Sequence, residues 1–148
     1  MISHNHFRNN QGELIIAESM LMKSEKELQE IRRLLEERRS ELHDLDSDPH
    51  RMDQSGDINR LLGMKLRSVE LQKSINDLAA AEAESVERVE SARRNLYSLY
   101  IRLERLRQEA ATLNAKLSLD DLSEDNRQQE RRNLMRLRVQ IEAIAGAD

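Results

Sequence analysis

Cysteine is absent from this 148-residue chain, which excludes disulfides, thiolate metal centres and cysteine nucleophiles and fits a reducing compartment. One proline, Pro49, and four glycines leave few interruptions to a helix. Tryptophan is missing and aromatic residues make up 2% of the chain, too few for a thick globular core. No apolar run approaches the ~20 residues that cross a bilayer, and the polar start, Met1 to Gln11, lacks the apolar stretch of a signal peptide. These absences predict a cytoplasmic protein with no membrane span.

What is abundant is charge, 35% of residues, together with leucine, glutamate, arginine, glutamine and alanine. A chain of this kind either stays solvated or forms long helices that bury a narrow stripe, and the periodicity selects the second. Leu14, Leu21, Leu28, Leu35 and Leu42 recur every seven residues. With the intervening positions, the first seam reads Leu14, Ala17, Leu21, Ser24, Leu28, Ile31, Leu35, Arg38, Leu42, Leu45. A second seam runs in register through Leu61, Met64, Ser68, Leu71, Ile75, Leu78, Glu82, Ser85, Val89, Ala92, Leu96, Leu99, Leu103, Leu106, Ala110, Leu113 and Leu117. A third reads Leu134, Leu137, Ile141, Ile144.

The breaks are equally legible. Ser47, Asp48 and Pro49 end the first helix near Asp46, Asp57 is a candidate N-cap for the second, and Ser118 to Ser123 separate the second from the third. Ser123 is placed as an N-cap, with Glu124 and Asp125 in the first turn favouring the helix dipole. The reading is an all-α fold: a flexible tail over 1–11, then a single coiled-coil domain over 12–148 with helices at about 12–46, 57–117 and 124–146. Sixty residues at ~1.5 Å each make the central helix about 90 Å long. The two shorter helices together match that length, which predicts an elongated antiparallel coiled coil with both folded back on the long helix. Tight reversals would put Leu42 opposite Leu61, Leu14 near Val89, Leu134 near Leu106 and Ile144 near Leu96. The short helices would then meet, with a gap, near residues 90–96. Met20, Leu21 and Met22 would face the small stretch Ala79 to Ser85.

Charge divides the chain. Residues 1–92 hold thirteen Lys/Arg against nineteen Asp/Glu, and residues 93–148 hold eleven against nine. An acidic arm tipped by Asp44, Asp46, Asp48, Asp53 and Asp57 is therefore expected at one end and a basic arm at the other. The total of −4 and the lack of stacking aromatics speak against nucleic acid as a partner. The candidate partner-binding residues are Met20 and Met22, Tyr97, Leu99 and Tyr100 beside the junction, Arg93, Arg94, Arg131 and Arg132 of the basic arm, and Asp46 and Asp48 of the tip. Leu62, Leu66, Met135 and Val139 are candidates for pairing with a second copy.

Other patterns carry less. His4-Asn5-His6 spells a nuclease motif without the separated ligands that chemistry needs. His43 and His50 with Asp46, Asp48 and Asp53 lack the fixed spacing of a metal site. There is no Gly-rich phosphate loop and no serine in a nucleophile elbow. The expectation is no catalytic site, no cofactor and no metal. Ser24, Arg38 and Glu82 within apolar seams are suited to fixing register.

In its length, its richness in Arg, Glu, Gln and Leu and its helical-hairpin character, the chain resembles the small coiled-coil stalk proteins of flagellar and type III export ATPases. The resemblance covers the overall pattern and no specific motif. It departs where Pro49 and Ser118 to Ser123 predict three unequal helices in place of two long ones. It implies a stalk or chaperone component of a bacterial export apparatus. The residues themselves favour a non-enzymatic adaptor or scaffold that binds another protein through helix–helix contacts, with homo-oligomerisation as a further possibility. A third reading, from the aspartates of the first connector, is an acidic-tipped regulator of a larger enzyme.

Overall fold

The structure is a computed structural model that describes residues 12–47, 58–119 and 121–147. Three helices account for 94% of these residues, and no strand occurs among them. They are α1 (Gly12–Asp46), α2 (Ile58–Leu117) and α3 (Glu124–Ala145). The tail over 1–11, Asp57 as an N-cap, and Asp48, His50 and Asp53 of the first connector lie outside the described residues.

The seams read from the sequence are the buried stripes of the fold. Every predicted position of α1 and α3 is buried or half-buried, and on α2 every one except Leu61. Ala17, Leu28, Leu35, Leu71, Ile75, Val89, Leu103, Leu106, Leu134 and Ile144 are the buried apolar residues. Polar members sit in the stripe at little cost: Ser85 is buried, Ser24, Arg38 and Glu82 are half-buried, and among the described residues no buried side-chain nitrogen or oxygen lacks a hydrogen-bond partner.

The described residues form two compact units. One comprises Lys23–Glu90, the middle unit; the other, the terminal unit, takes the chain up to Met22 and from Ser91 onward. In the middle unit the second part of α1 runs antiparallel to the first part of α2. The Arg67 guanidinium donates to Glu41 at 2.6 and 3.2 Å, the Ser68 hydroxyl donates to Asp46 at 3.4 Å, and Arg32 pairs with Glu82 at 3.4 Å. Fourteen residues back along α1, from Asp46 to Arg32, therefore match fourteen forward along α2, from Ser68 to Glu82.

This register corrects the expected one. Leu42 lies level with residues 67–72 of α2, not with Leu61, so α2 runs ten residues past the level of α1's last residue. Leu61 is consequently 37% exposed. The stretch of α1 across from Ala79 to Ser85 is the one holding Leu28, Ile31 and Leu35, and not Met20 to Met22. The cause is that a connector of about ten residues does not dictate a tight reversal, since closing a loop costs only slowly more as it lengthens. Side-chain fit along the helices sets the register instead.

In the terminal unit Leu103, Leu106 and Ile144 form the buried centre, with Leu14, Leu99, Leu137, Ile141 and Ala145 packed around it. All three helices contribute. Leu14 belongs with Leu103 and Leu106, two heptads beyond the expected Val89, and Ile144 joins the same residues, one heptad beyond Leu96. The expected gap between the short helices is absent, because α1 begins where α3 ends. Gly12 (φ 71°) and Gly146 (φ 93°) meet there backbone to backbone; a Cβ at Gly12 would lie 2.5 Å from the Gly146 nitrogen and 2.7 Å from the Ile144 oxygen. Glycine at both ends permits the left-handed conformation and the close approach together.

The reversal between α2 and α3 is built from capping. The Ser123 hydroxyl accepts from the Asn126 N–H at 3.3 Å, as its place before Glu124 and Asp125 predicts. Arg127, one turn into α3, donates to the Leu117 carbonyl at 3.3 Å and the Leu119 carbonyl at 3.0 Å. A cation thus closes the end of α2 where orphan carbonyls and the negative pole of the dipole coincide. The Gly146 N–H completes α3 on the Glu142 carbonyl at 2.8 Å.

Candidate functional site

With the seams buried, several large apolar side chains outside them remain exposed. In the terminal unit these include Tyr97 (68% exposed), Tyr100 and Ile101 on α2, Met20 and Met22 on α1, and Met135 and Val139 on α3. In the middle unit the first turns of α2 expose Ile58, Leu62, Leu66 and Val69 at spacings of four, four and three, a stripe beside the buried seam.

The candidate residues from the sequence fall into three groups. Met20, Met22, Tyr97 and Tyr100 are exposed, as a binding role requires. Arg93, Arg94, Arg131 and Arg132 are exposed too, Arg93 and Arg94 each already engaged in a polar or electrostatic interaction. Leu99 is different: it is half-buried and packs on the Leu103–Leu106–Ile144 centre, so it is a core residue and not a surface anchor. Asp46 is exposed and accepts from Ser68, while Asp48 lies outside the described residues. No group of three or more His, Asp or Glu able to hold a metal occurs among the described residues.

Tyr100 ties α2 to α1. Its hydroxyl donates to the Glu18 carboxylate at 2.7 Å, and this hydrogen bond, aided by partial burial, holds the phenol above its ordinary range. The bond leaves the ring face available and fixes its direction, as is common for an interface tyrosine.

The feature that sequence reading missed is a groove between α2 and α3. It has a volume of about 590 Å³ and is floored by Leu113 and Leu137, with Arg105, Glu109, Asn133 and Arg136 at its sides. A second depression of about 520 Å³, lined by Tyr100, Ile101 and Glu104, shares Arg105 and Gln108 with it. The two form one strip along α2 from Tyr100 to Leu113, fourteen residues or about 20 Å at ~1.5 Å per residue. The hint was available in the sequence: Arg105, Gln108, Glu109 and Thr112 share one helical face beside the seam. Which face of α3 would border it depended on a register that the heptads do not specify.

The strip is apolar at Leu113, Leu137 and Ile101 and carries Arg105, Arg136, Glu104 and Glu109 along its sides. Comparison of the chain with family models, with curated proteins and with solved structures finds no match.

Proposed function

We propose that this chain is a non-enzymatic helical adaptor that binds a partner protein through its terminal unit. The observation carrying this reading is the exposure of Tyr97, Tyr100 and Ile101 on successive turns of α2, where the seam beneath them is already filled by Leu99 and Leu103. Large apolar side chains that stay exposed outside a filled seam mark contact surfaces when they are contiguous, and tyrosines, with a polar tip and an apolar ring, are favoured there.

The test is capture from host extract with chemical cross-linking and mass spectrometry, comparing the wild type with Ile101→Glu and Met20→Glu. Both side chains are exposed, so helicity and melting should hold while cross-links from the Tyr97–Ile101 region to a foreign chain disappear. Undiminished capture by both variants would overturn the reading.

A second reading, pairing with another copy, is supported by the exposed stripe Ile58, Leu62, Leu66 and Val69 of the middle unit. Under that reading, Leu66→Glu lowers the mass measured by light scattering. If the chain instead serves as an export-apparatus stalk, it stimulates an ATPase ring. If it is an acidic-tipped regulator, changing Asp46 and Asp48 to Asn abolishes its effect and leaves the fold intact.

A further inference from the structure

We infer that the α2–α3 strip of the terminal unit is a docking site for an acidic amphipathic helix of about four turns. This rests on the adaptor reading and gives its partner a chemistry. Two antiparallel helices leave between them a furrow into which a third helix seats its apolar ridge at the usual 8–10 Å spacing. Leu113 and Leu137 form such a floor where α3 borders α2, and along α2 alone Ile101, 45% exposed, continues it. About 20 Å of strip accommodates roughly fourteen helical residues, enough for apolar side chains at i, i+3, i+7 and i+10. A small molecule would be better served by an enclosed cavity that surrounds most of its surface.

Charge identifies the kind of helix. Arg105 on α2 and Arg136 on α3 stand on opposite lips, and among the described residues neither guanidinium is engaged by a carboxylate. Arg102 and Arg132, exposed and three to four residues away on the same helices, strengthen the field on each side, with Glu104 and Glu109 opposing it. Guanidinium pairs flanking an apolar trough suit glutamates or aspartates flanking an apolar stripe, because each arginine offers a planar fork to a carboxylate. A basic helix would meet like charge on both lips. A nucleic acid strand would be drawn to the arginines but would leave the leucine floor unfilled.

The probe is a fluorescein-labelled fourteen-residue peptide with leucines at alternating three- and four-residue spacings and glutamates on its flanks, titrated with the full chain by fluorescence anisotropy. Controls are the same composition with its leucines scrambled and the same stripe with lysine for glutamate. The acidic amphipathic peptide should bind at least tenfold more tightly than either control. Arg105→Glu and Arg136→Glu should each weaken it tenfold or more, while Arg39→Glu in the middle unit changes nothing. Methyl resonances of Leu113 and Leu137 should move on binding. Equal affinity for all three peptides, or binding indifferent to Arg105 and Arg136, overturns the assignment. So does tighter binding of a single-stranded oligonucleotide, or a dimer of the chain that Arg136→Glu dissociates. Loss of peptide binding alongside intact, Ile101-dependent partner capture would sink the acidic-helix assignment and leave the adaptor reading standing.

Discussion

A methyl group added at Gly12 would press on three backbone atoms at the end of α3, the nearest 2.5 Å away, at a position whose φ of 71° already disfavours any L side chain. Backbone cannot swing aside as a side-chain tip can. Gly12→Ala should therefore lower stability by about 2–4 kcal/mol, read from urea unfolding followed by far-UV circular dichroism. Gly63 is the opposite case: it is an exposed helical glycine whose added Cβ would meet nothing within 4 Å. Gly63→Ala should stabilise by about 1 kcal/mol in the same measurement, because alanine restricts the unfolded chain and suits a helix interior. A destabilising result would mean that this turn of α2 is not helical in solution.

Tyr100 gives a pH test. The folded protein favours its neutral phenol, because the hydroxyl donates to Glu18, so the folded value stands above the unfolded value near 10.0. The associated stability is complete below pH 10 and disappears as pH rises through the folded value. Ultraviolet titration should show the Tyr100 ionisation displaced upward, with Glu18→Gln moving it back down. Glu30 runs the other way. Its hydrogen bond from Arg33, at 2.7 Å, holds the carboxyl below its ordinary 4.5, so that contribution is present above about pH 4.5 and lost on acidification. Both partners are exposed, so this pair ranks well below the leucine seam in holding the fold.

Within an element, what decides the importance of a leucine is its place around the helix. Leu35 is 1% exposed in the α1 seam and Leu66 is 65% exposed on α2. Leu35→Ala should cost about 2–4 kcal/mol by loss of buried area and cavity formation, whereas Leu66→Ala should stay within about 0.5 kcal/mol. Equal effects in chemical denaturation would show that the stripe is not the one assigned. The heptads disclosed this difference before any coordinates: the seam of α2 was readable residue by residue from Met64 to Leu117, and Ser123 was readable as a cap. Arg127 was not, because its role depends on the chain turning back to bring the last carbonyls of α2 within reach of its guanidinium.

Taken over the whole chain, three helices that occupy nearly all the described residues require a strongly helical circular dichroism spectrum, at least about three-quarters helix. A value near half would indicate that the charged chain stays largely solvated and would remove the basis for both docking surfaces. Charge belongs to this level as well. The sequence placed a basic excess after residue 93, and the structure gathers part of it, Arg105 and Arg136, on facing lips of one groove. Linear charge counts could not pick these two from eleven cations, since facing lips arise from pairing between segments about thirty residues apart.

Composition and period were enough to establish an all-α chain, its three helices, their breaks and nearly every buried position. Those properties follow from turn chemistry and from the 3.6-residue helix repeat, both local. The pairing of helix with helix was a different matter. A slip of seven residues leaves leucine facing leucine, so seam energy alone scarcely distinguishes one register from the next. Leu14 and Ile144 accordingly lie two heptads and one heptad from their expected neighbours. That degeneracy was lifted by contacts with no period: Gly12 against Gly146, Arg67 on Glu41, Asp46 with Ser68 and Arg127 across the α2 terminus. The groove, with Leu113 and Leu137 at its floor, exists because those contacts chose one register among several that the leucines alone would have allowed.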